Sequence, residues 1–236
     1  METTARGWNV LDRERAILWR EYSFGGGVAT TFVFRGAGDG LIAVSPCSGI
    51  DKASLDELGS FGNVVALVAC NGFHWLGQQA WRDHFPNARS FSPAQGIARL
   101  SKKVPGLRFE ALDALEPLLG DGAKVSDAPG LKVGSAIATV RGSKGPYVYA
   151  ADFLANIPAL PKQFVFRILM SMTDSAPGYK LFRPAVWLQV KNKDEFRAWM
   201  NDLLDKSAPA AIVPAHGAPV EGADLVAQTK ALLAKI

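Results

Sequence analysis

The amino-acid sequence predicts an α/β fold, a layered sandwich with helices on its outer faces. Three observations predict it. Strand-like runs alternate with helix-patterned segments along the chain. The alternation comes as two similar α/β halves, without a visible sequence repeat. One run, Val64–Cys70, is continuously apolar and rich in β-branched residues, as expected of a strand covered on both faces. With 236 residues, 48% hydrophobic and 20% charged, the chain is long enough for one large domain or two small ones and is expected to bury a substantial core.

The elements follow in order. Thr30–Arg35 and Leu41–Ser45 read as a hairpin around Gly36-Ala37-Gly38-Asp39-Gly40. Ser54-Leu55-Asp56-Glu57 has capping-box form and predicts a helix opening there. After Val64–Cys70, the segment from Gly72 to Phe85 takes helical spacing until Pro86 stops it. Ser92-Pro93 opens a helix that ends before Pro105-Gly106. Ser135–Val140 and Tyr147–Ala151 pair around Gly142-Ser143-Lys144-Gly145. Asn192 caps a helix whose apolar stripe is Phe196, Trp199, Met200, Leu203 and Leu204. Ala210–Pro214 is a last short strand, and Leu225, Leu232, Leu233 and Ile236 give the final helix its apolar face.

Residues 155–190 break the pattern. Phe164–Met172 is apolar nearly all round, so it reads as a buried helix or one packed on a partner. The segment is therefore expected to be a lid or a dimerisation element, the second implying a homodimer. A roof over the site would bury Arg167 against a polar group. Pro177-Gly178 and Arg183-Pro184 predict loops.

Composition excludes several classes. The N-terminus lacks a basic segment leading into an apolar stretch, and no apolar run reaches membrane-span length, so neither a signal peptide nor a membrane partner is expected. Two cysteines, Cys47 and Cys70, are too few for a disulfide framework, which points to a reducing, cytoplasmic compartment. The net charge of +4 is scattered, and Lys102-Lys103, Lys191 and Lys193 read as solvated faces, so no nucleic-acid partner is expected.

Chemistry concentrates in two places. Val213-Pro214-Ala215-His216-Gly217-Ala218-Pro219 delivers a histidine on a tight loop at a strand end. His74, another of the chain's 3 histidines, lies just past the apolar strand. Around them the chain reads Ala69-Cys70-Asn71-Gly72-Phe73-His74, then Pro129-Gly130-Leu131-Lys132-Val133-Gly134-Ser135, then Ala151-Asp152, then Pro214-Ala215-His216-Gly217. In order and spacing this resembles the metallo-β-lactamase superfamily. Its members carry His-x-His-x-Asp-His after a strand, a Pro-Gly-His-x-x-Gly-Ser turn, a Gly-Asp at a strand end and a late Pro-Gly-His-Gly. Those residues hold one or two metal ions, commonly zinc, that activate water for hydrolysis. A branch with Asn-x-x-His, a following Trp and a Pro-x-Ala turn is closer still, matched by Asn71, His74, Trp81 and Pro86-Asn87-Ala88.

The resemblance implies a single domain, 1–236, built as a four-layer αββα sandwich with His74, Asp152 and His216 converging at one edge. It also implies a reduced site. Ala69, Asn71 and Leu131 stand where the first metal would find histidines, and Phe73 replaces a carboxylate of the second, so at most one metal is expected. His74, Asp152 and His216 are the implied ligands of one divalent ion, zinc first, with iron or manganese also suited. The implied activity is metal-dependent hydrolysis of a small molecule, with His74 and Asp152 catalytic and Asn71 orienting a water or completing the coordination. Two rival readings stand beside it. One is a metal-free binding or interaction module in which both histidines hydrogen-bond Asp152. The other is a mononuclear iron redox protein. Cys70 is a candidate nucleophile near His74, but strand alternation predicts that it points away. His84 reads as a helix-end residue, Trp75, Phe153 and Trp187 as core, and Arg183 as an exposed cation able to meet an anionic substrate.

Overall fold

The computed structural model describes residues 2–25 and 27–236. The first half forms an 8-stranded sheet whose spatial order follows the chain. Its strands are β1 (Glu2–Thr3), β2 (Asn9–Asp12), β3 (Ile17–Phe24), β4 (Gly27–Arg35), β5 (Gly40–Val44), β6 (Asn63–Val68), β7 (Arg89–Ser92) and β8 (Phe109–Ala111). Pairing is antiparallel up to β5 and parallel from β5 to β8. The change falls where helical crossovers begin, as parallel neighbours require: α1 (Lys52–Asp56), α2 (Gln78–His84) and α3 (Ala94–Lys103) separate the parallel strands.

The second half supplies β9 (Ala123–Asp127), β10 (Ala136–Gly142), β11 (Gly145–Tyr149), β12 (Leu154–Ile157), β13 (Gly178–Leu181), β14 (Ala211–Val213), β15 (His216–Gly217) and β16 (Val220–Glu221). They build a 5-stranded sheet, β16-β14-β11-β10-β9, and a 3-stranded one, β13-β12-β15. Its helices are α4 (Phe164–Met172), α5 (Arg183–Gln189), α6 (Lys193–Ser207) and α7 (Leu225–Leu233).

Alternation along the strands explains the layers. In β4, β5 and β6 the residues Phe32, Phe34, Ile42, Val44, Ala66 and Val68 join one core with Ala138, Val148, Tyr149 and Ile212 of the opposing sheet. Their neighbours Val33, Leu41, Ala43, Val64 and Leu67 face the other way, onto Leu55 of α1 and Trp81 of α2. On the second sheet, Phe196, Met200 and Leu204 of α6 and Leu225 and Leu233 of α7 cover the far side of the main core. Helix, sheet, sheet and helix thus stack in the expected four layers. The sheets are also joined by Phe32 stacked on Tyr149 at 5.8 Å and by a 2.9 Å hydrogen bond between Ser45 Oγ and the Tyr149 hydroxyl.

Both hairpins and the Asn192 cap lie where the sequence places them; Asn192 Oδ1 accepts the Glu195 N–H at 3.2 Å. Three boundaries differ. α1 opens one turn earlier than Ser54, because Asp51 is the cap: its carboxylate accepts the Ser54 N–H at 2.9 Å and the Ser54 hydroxyl at 2.7 Å. Residues 72–77 are a loop, and α2 begins only at Gln78. Gly77 closes that loop against β5's end; a Cβ there would lie 2.1 Å from the Pro46 carbonyl oxygen. Arg183-Pro184 opens α5 rather than a loop, since proline in a first helical turn surrenders no intrahelical bond.

Phe164–Met172 is one helix, α4, and it is not buried. Phe166, Leu169 and Met170 wall a cavity, while Phe164 is 75% and Met172 82% exposed. Arg167 is exposed, not buried against a polar group as a roof would have it. Among the described residues, no helix is long and apolar enough to cross a membrane.

The Asn192 cap gives a direct check on this half of the fold. Asn192→Ala should destabilise the protein by about 1 kcal/mol in urea unfolding, with an unchanged slope. Phe196→Ala, which empties a fully buried site on the same helix, should cost about 3–5 kcal/mol.

Candidate functional site

His216 reaches the site because three strands converge on its loop. β14 runs parallel to β11 and ends at Val213. Beyond it, the Ala215 N–H donates to the Ala151 carbonyl at 2.9 Å, and the Ala215 carbonyl accepts the Thr30 N–H at 2.8 Å. The Thr30 hydroxyl donates to the Gly217 carbonyl at 2.8 Å. Glycine is required after the histidine: Gly217 has φ +94°, and a Cβ there would lie 2.0 Å from the Asn156 carbonyl oxygen. The His216 ring lies between Phe24 and Phe182, with centroids at 6.2 and 4.3 Å. Its Nδ1 donates to the Val28 carbonyl at 2.7 Å.

Asp152 sits on the 3₁₀ turn Ala151–Phe153 that follows β11. Phe153 anchors the turn against Phe196, ring centroids 4.4 Å apart. The Asp152 carboxylate is buried and fully engaged. Oδ2 accepts from Asn71 Nδ2 at 2.7 Å and from Gln189 Nε2 at 3.0 Å. Oδ1 lies 2.7 Å from His74 Nε2 and 3.6 Å from His216 Nε2. His74 is set by the loop after β6, which Asn71 organises: its Oδ1 accepts the Phe73 N–H at 2.9 Å, and its carbonyl accepts the His74 N–H at 3.2 Å.

Charge in this cluster is divided unequally. Burial alone would raise the Asp152 carboxyl, but the His74 charge and hydrogen bond, then His216 and the Asn71 amide, hold it well below the usual carboxylate range. Burial disfavours a charged His74, yet the neighbouring Cys70 sulfur and Asp152 carboxylate raise it well above its ordinary value. His216 goes the other way, because burial outweighs its attraction to Asp152. The metal-free cluster is therefore a buried ion pair, His74 with Asp152, beside a neutral His216.

That arrangement bears on metal binding. His216 Nδ1 must carry the proton, since a carbonyl only accepts. In the neutral ring, Nε2 then presents a lone pair toward Asp152 Oδ1, two acceptors facing each other at 3.6 Å. A cation shared by the two atoms relieves the conflict, and the His74 proton, 2.7 Å away at Nε2, is the nearest one. The residues offer donors that suit a divalent ion in its place: His74 Nε2 and His216 Nε2 lie 2.7 and 3.6 Å from Asp152 Oδ1, His216 is oriented by a carbonyl and Asp152 by two amides.

Most of the expected residues come together; some do not. His74, Asp152, His216 and Asn71 meet as the sequence implies. Cys70 does not point away. Ala69 packs on Leu100 and Phe109 beneath α3, while Cys70 continues the inter-sheet face of Val68. Alternation holds, but with the opposite phase, and it puts Cys70 beside the site: ligand atoms of Cys70, His74 and Asp152 lie within 4.8 Å of one another. Leu131 bridges to Val190 at the backbone and packs on the core. His84 ends α2 with Nε2 3.0 Å from Asp56 Oδ1. Phe153 is core, Trp75 packs on the α3 cluster, and Trp187 is exposed rather than core. Arg183 does not line the cavity. Gln189 is the residue that sequence reasoning missed. Its signal was a polar side chain on the face of α5 that buries Ala185 and Val186.

The α/β/β/α sandwich thus carries two histidines and an aspartate on strand-end loops at one edge. Solved structures make the likeness specific. The metallo-β-lactamase FIM-1 from Pseudomonas aeruginosa, in its mono-zinc form, is 11% identical, with TM-score 0.63 over 100% of this chain and 97% of that one. A β-lactamase domain protein from Burkholderia ambifaria is 14% identical, with TM-score 0.60 over 100% of this chain and 74% of that one. A metallo-β-lactamase from Pontibacter korlensis is 10% identical, with TM-score 0.51 over 93% and 94%. No family model matches the chain, and no curated protein matches it in sequence. The chain has the metallo-β-lactamase fold.

Two outcomes should follow from the charge distribution. In protein stripped with EDTA, NMR titration of the ring protons should show His74 protonated well above pH 6.5 and His216 neutral below it. His74 then adds stability that is complete below about pH 6.5 and is lost as pH rises through its raised value. Asp152 adds stability that is complete above about pH 3.9 and is lost as pH falls through its depressed value, whereas His216 costs stability as pH falls below about 6.5. Gly217→Ala should disturb both ring resonances, because the backbone that carries His216 must shift.

Proposed function

We propose that the chain is a metal-dependent hydrolase with one divalent ion, zinc first, held by His74 Nε2, Asp152 Oδ1 and His216 Nε2. The observation that carries this is the pair of acceptors, His216 Nε2 and Asp152 Oδ1, that face each other across 3.6 Å. Both histidines and Asp152 also line the cavity, whereas Cys70 lies behind them in the core. An ion bound there would supply a water of lowered pKa. The remaining work belongs to the chain. Asn71 and Gln189 keep one carboxylate oxygen of Asp152 occupied, so the other is aimed at the cavity. Val28 fixes the tautomer of His216. Phe24 and Phe182 dry its surroundings, which strengthens every charge interaction in the cleft.

A metal-free binding module on the same fold is the second reading. It is favoured by the 2.7 Å contact of His74 with Asp152, which leaves the carboxylate satisfied by protein groups alone.

Elemental analysis of protein purified without added metal separates the readings. One zinc or manganese per chain supports the hydrolase, iron points to redox chemistry, and no metal supports the binding module. His216→Ala and Asp152→Ala should each abolish zinc retention, while Cys70→Ser should keep it. A cobalt-substituted protein should lack a thiolate charge-transfer band. A second equivalent held alongside the first would contradict the single site, since Ala69, Phe73 and Leu131 offer no side-chain donor atoms.

A further inference from the structure

The cluster opens onto apolar space. The cavity lined by His74, Asp152 and His216 has a volume of about 270 Å³, and Tyr22, Phe24, Phe73, Leu169 and Leu188 form much of its remaining wall. A second cavity of about 460 Å³ also borders His216 and shares Phe24, Phe166, Met170 and Phe182 with the first. The two adjoin at these shared residues and at His216, and are taken together as one trough. Together they fall in the range of small-molecule sites, about 300–1,000 Å³.

Charge is nearly absent from this trough. Among the described residues no lysine or arginine lines the first cavity. Its ionisable groups are the cluster itself and Tyr22, which burial pushes up to about 12, so it stays neutral. Glu21 and Lys162 line only the second cavity. In the first cavity an anionic ligand would meet the Asp152 carboxylate with no guanidinium or ammonium to pair with it, Lys162 lining only the second. An apolar ligand would instead cover Phe24, Phe166, Leu169, Met170 and Phe182, each removing apolar surface from water.

Resting on the hydrolase reading, we infer that the substrate is an uncharged carboxylic ester whose apolar acyl chain lies along this trough. Its carbonyl carbon lies at the end bounded by His74, Asp152 and His216. Hydrolysis joins the oxygen of water to that carbon and breaks the bond from the carbon to the alkoxy oxygen. The bonding pair leaves on the alkoxy oxygen, which takes one water proton to become the alcohol. The other proton is released as the acid ionises.

The test separates binding from turnover. The EDTA-treated protein is titrated with N-phenyl-1-naphthylamine, an uncharged fluorescent probe, which is then displaced by methyl butanoate, hexanoate and octanoate and by sodium octanoate. Affinity for the esters should rise about fourfold per added methylene, and octanoate anion should bind at least tenfold more weakly than its methyl ester. Leu169→Lys and Leu188→Lys, at wall positions 38% and 55% exposed, should weaken ester binding at least tenfold while leaving the circular dichroism spectrum unchanged. Equal binding of the anion, or no dependence on chain length, would overturn the ligand class. Zinc-loaded protein is then assayed with p-nitrophenyl acetate and octanoate, the octanoate being expected to turn over with the higher kcat/KM. Chain-length-dependent binding with no zinc-dependent release of nitrophenol overturns the hydrolase reading and leaves the ligand class standing. Release from the acetate with no chain-length dependence in either measurement does the reverse.

Discussion

The structure turns on one buried carboxylate. Asp152 is removed from water at the seam between the two sheets, and an isolated charge there would be costly. Donors from separate parts of the chain answer it: Asn71 and His74 from the loop after β6, and Gln189 from α5. His216, from the loop after β14, completes the ring around it. Each donor in turn fixes its own element. Asn71 shapes the loop that carries His74, and Gln189 ties α5 to the floor of the cavity. Breaking one such partnership leaves a buried charge uncompensated, which is far more damaging than loss of a surface pair.

Much of the layering was legible because alternation in β4, β5 and β6 is strict, and both faces of those strands are apolar. Such strands must be covered twice, and only a multilayer sandwich does this. The helix caps were less legible. Asp51 and Ser54 both have capping chemistry, and the choice between them depends on where β5 releases the chain. The loop over residues 71–77 was misread for a related reason. Its helical spacing is real, but close packing of Gly77 on the Pro46 carbonyl delays the helix.

At the site, His74, Asp152 and His216 were visible because each follows a strand-like run. Asn71 was visible for the same reason. Cys70 was assigned the wrong face, although the alternation rule was sound. The error lay in the phase: Ala69, which the resemblance puts at a metal-facing position, packs beneath α3, and Cys70 takes the inter-sheet face. Gln189 lay in the irregular segment, where no period could place it. A glutamine at a core position of a short helix was the only trace of it.

The His216 loop is stitched to β4 by bonds that span 187 and 188 residues of chain, from Thr30 to Gly217 and from His216 to Val28. Contacts so distant in sequence close only after the loops between them have lost their freedom. The β3–β4 hairpin and the helices need no such wait. Order of assembly is thereby built into the architecture: the histidine that completes the cluster is fastened only once both halves of the molecule have met. Substitutions in its fastening should quicken unfolding more than they slow folding, so the edge that carries the cluster is also a late-closing seam of the fold.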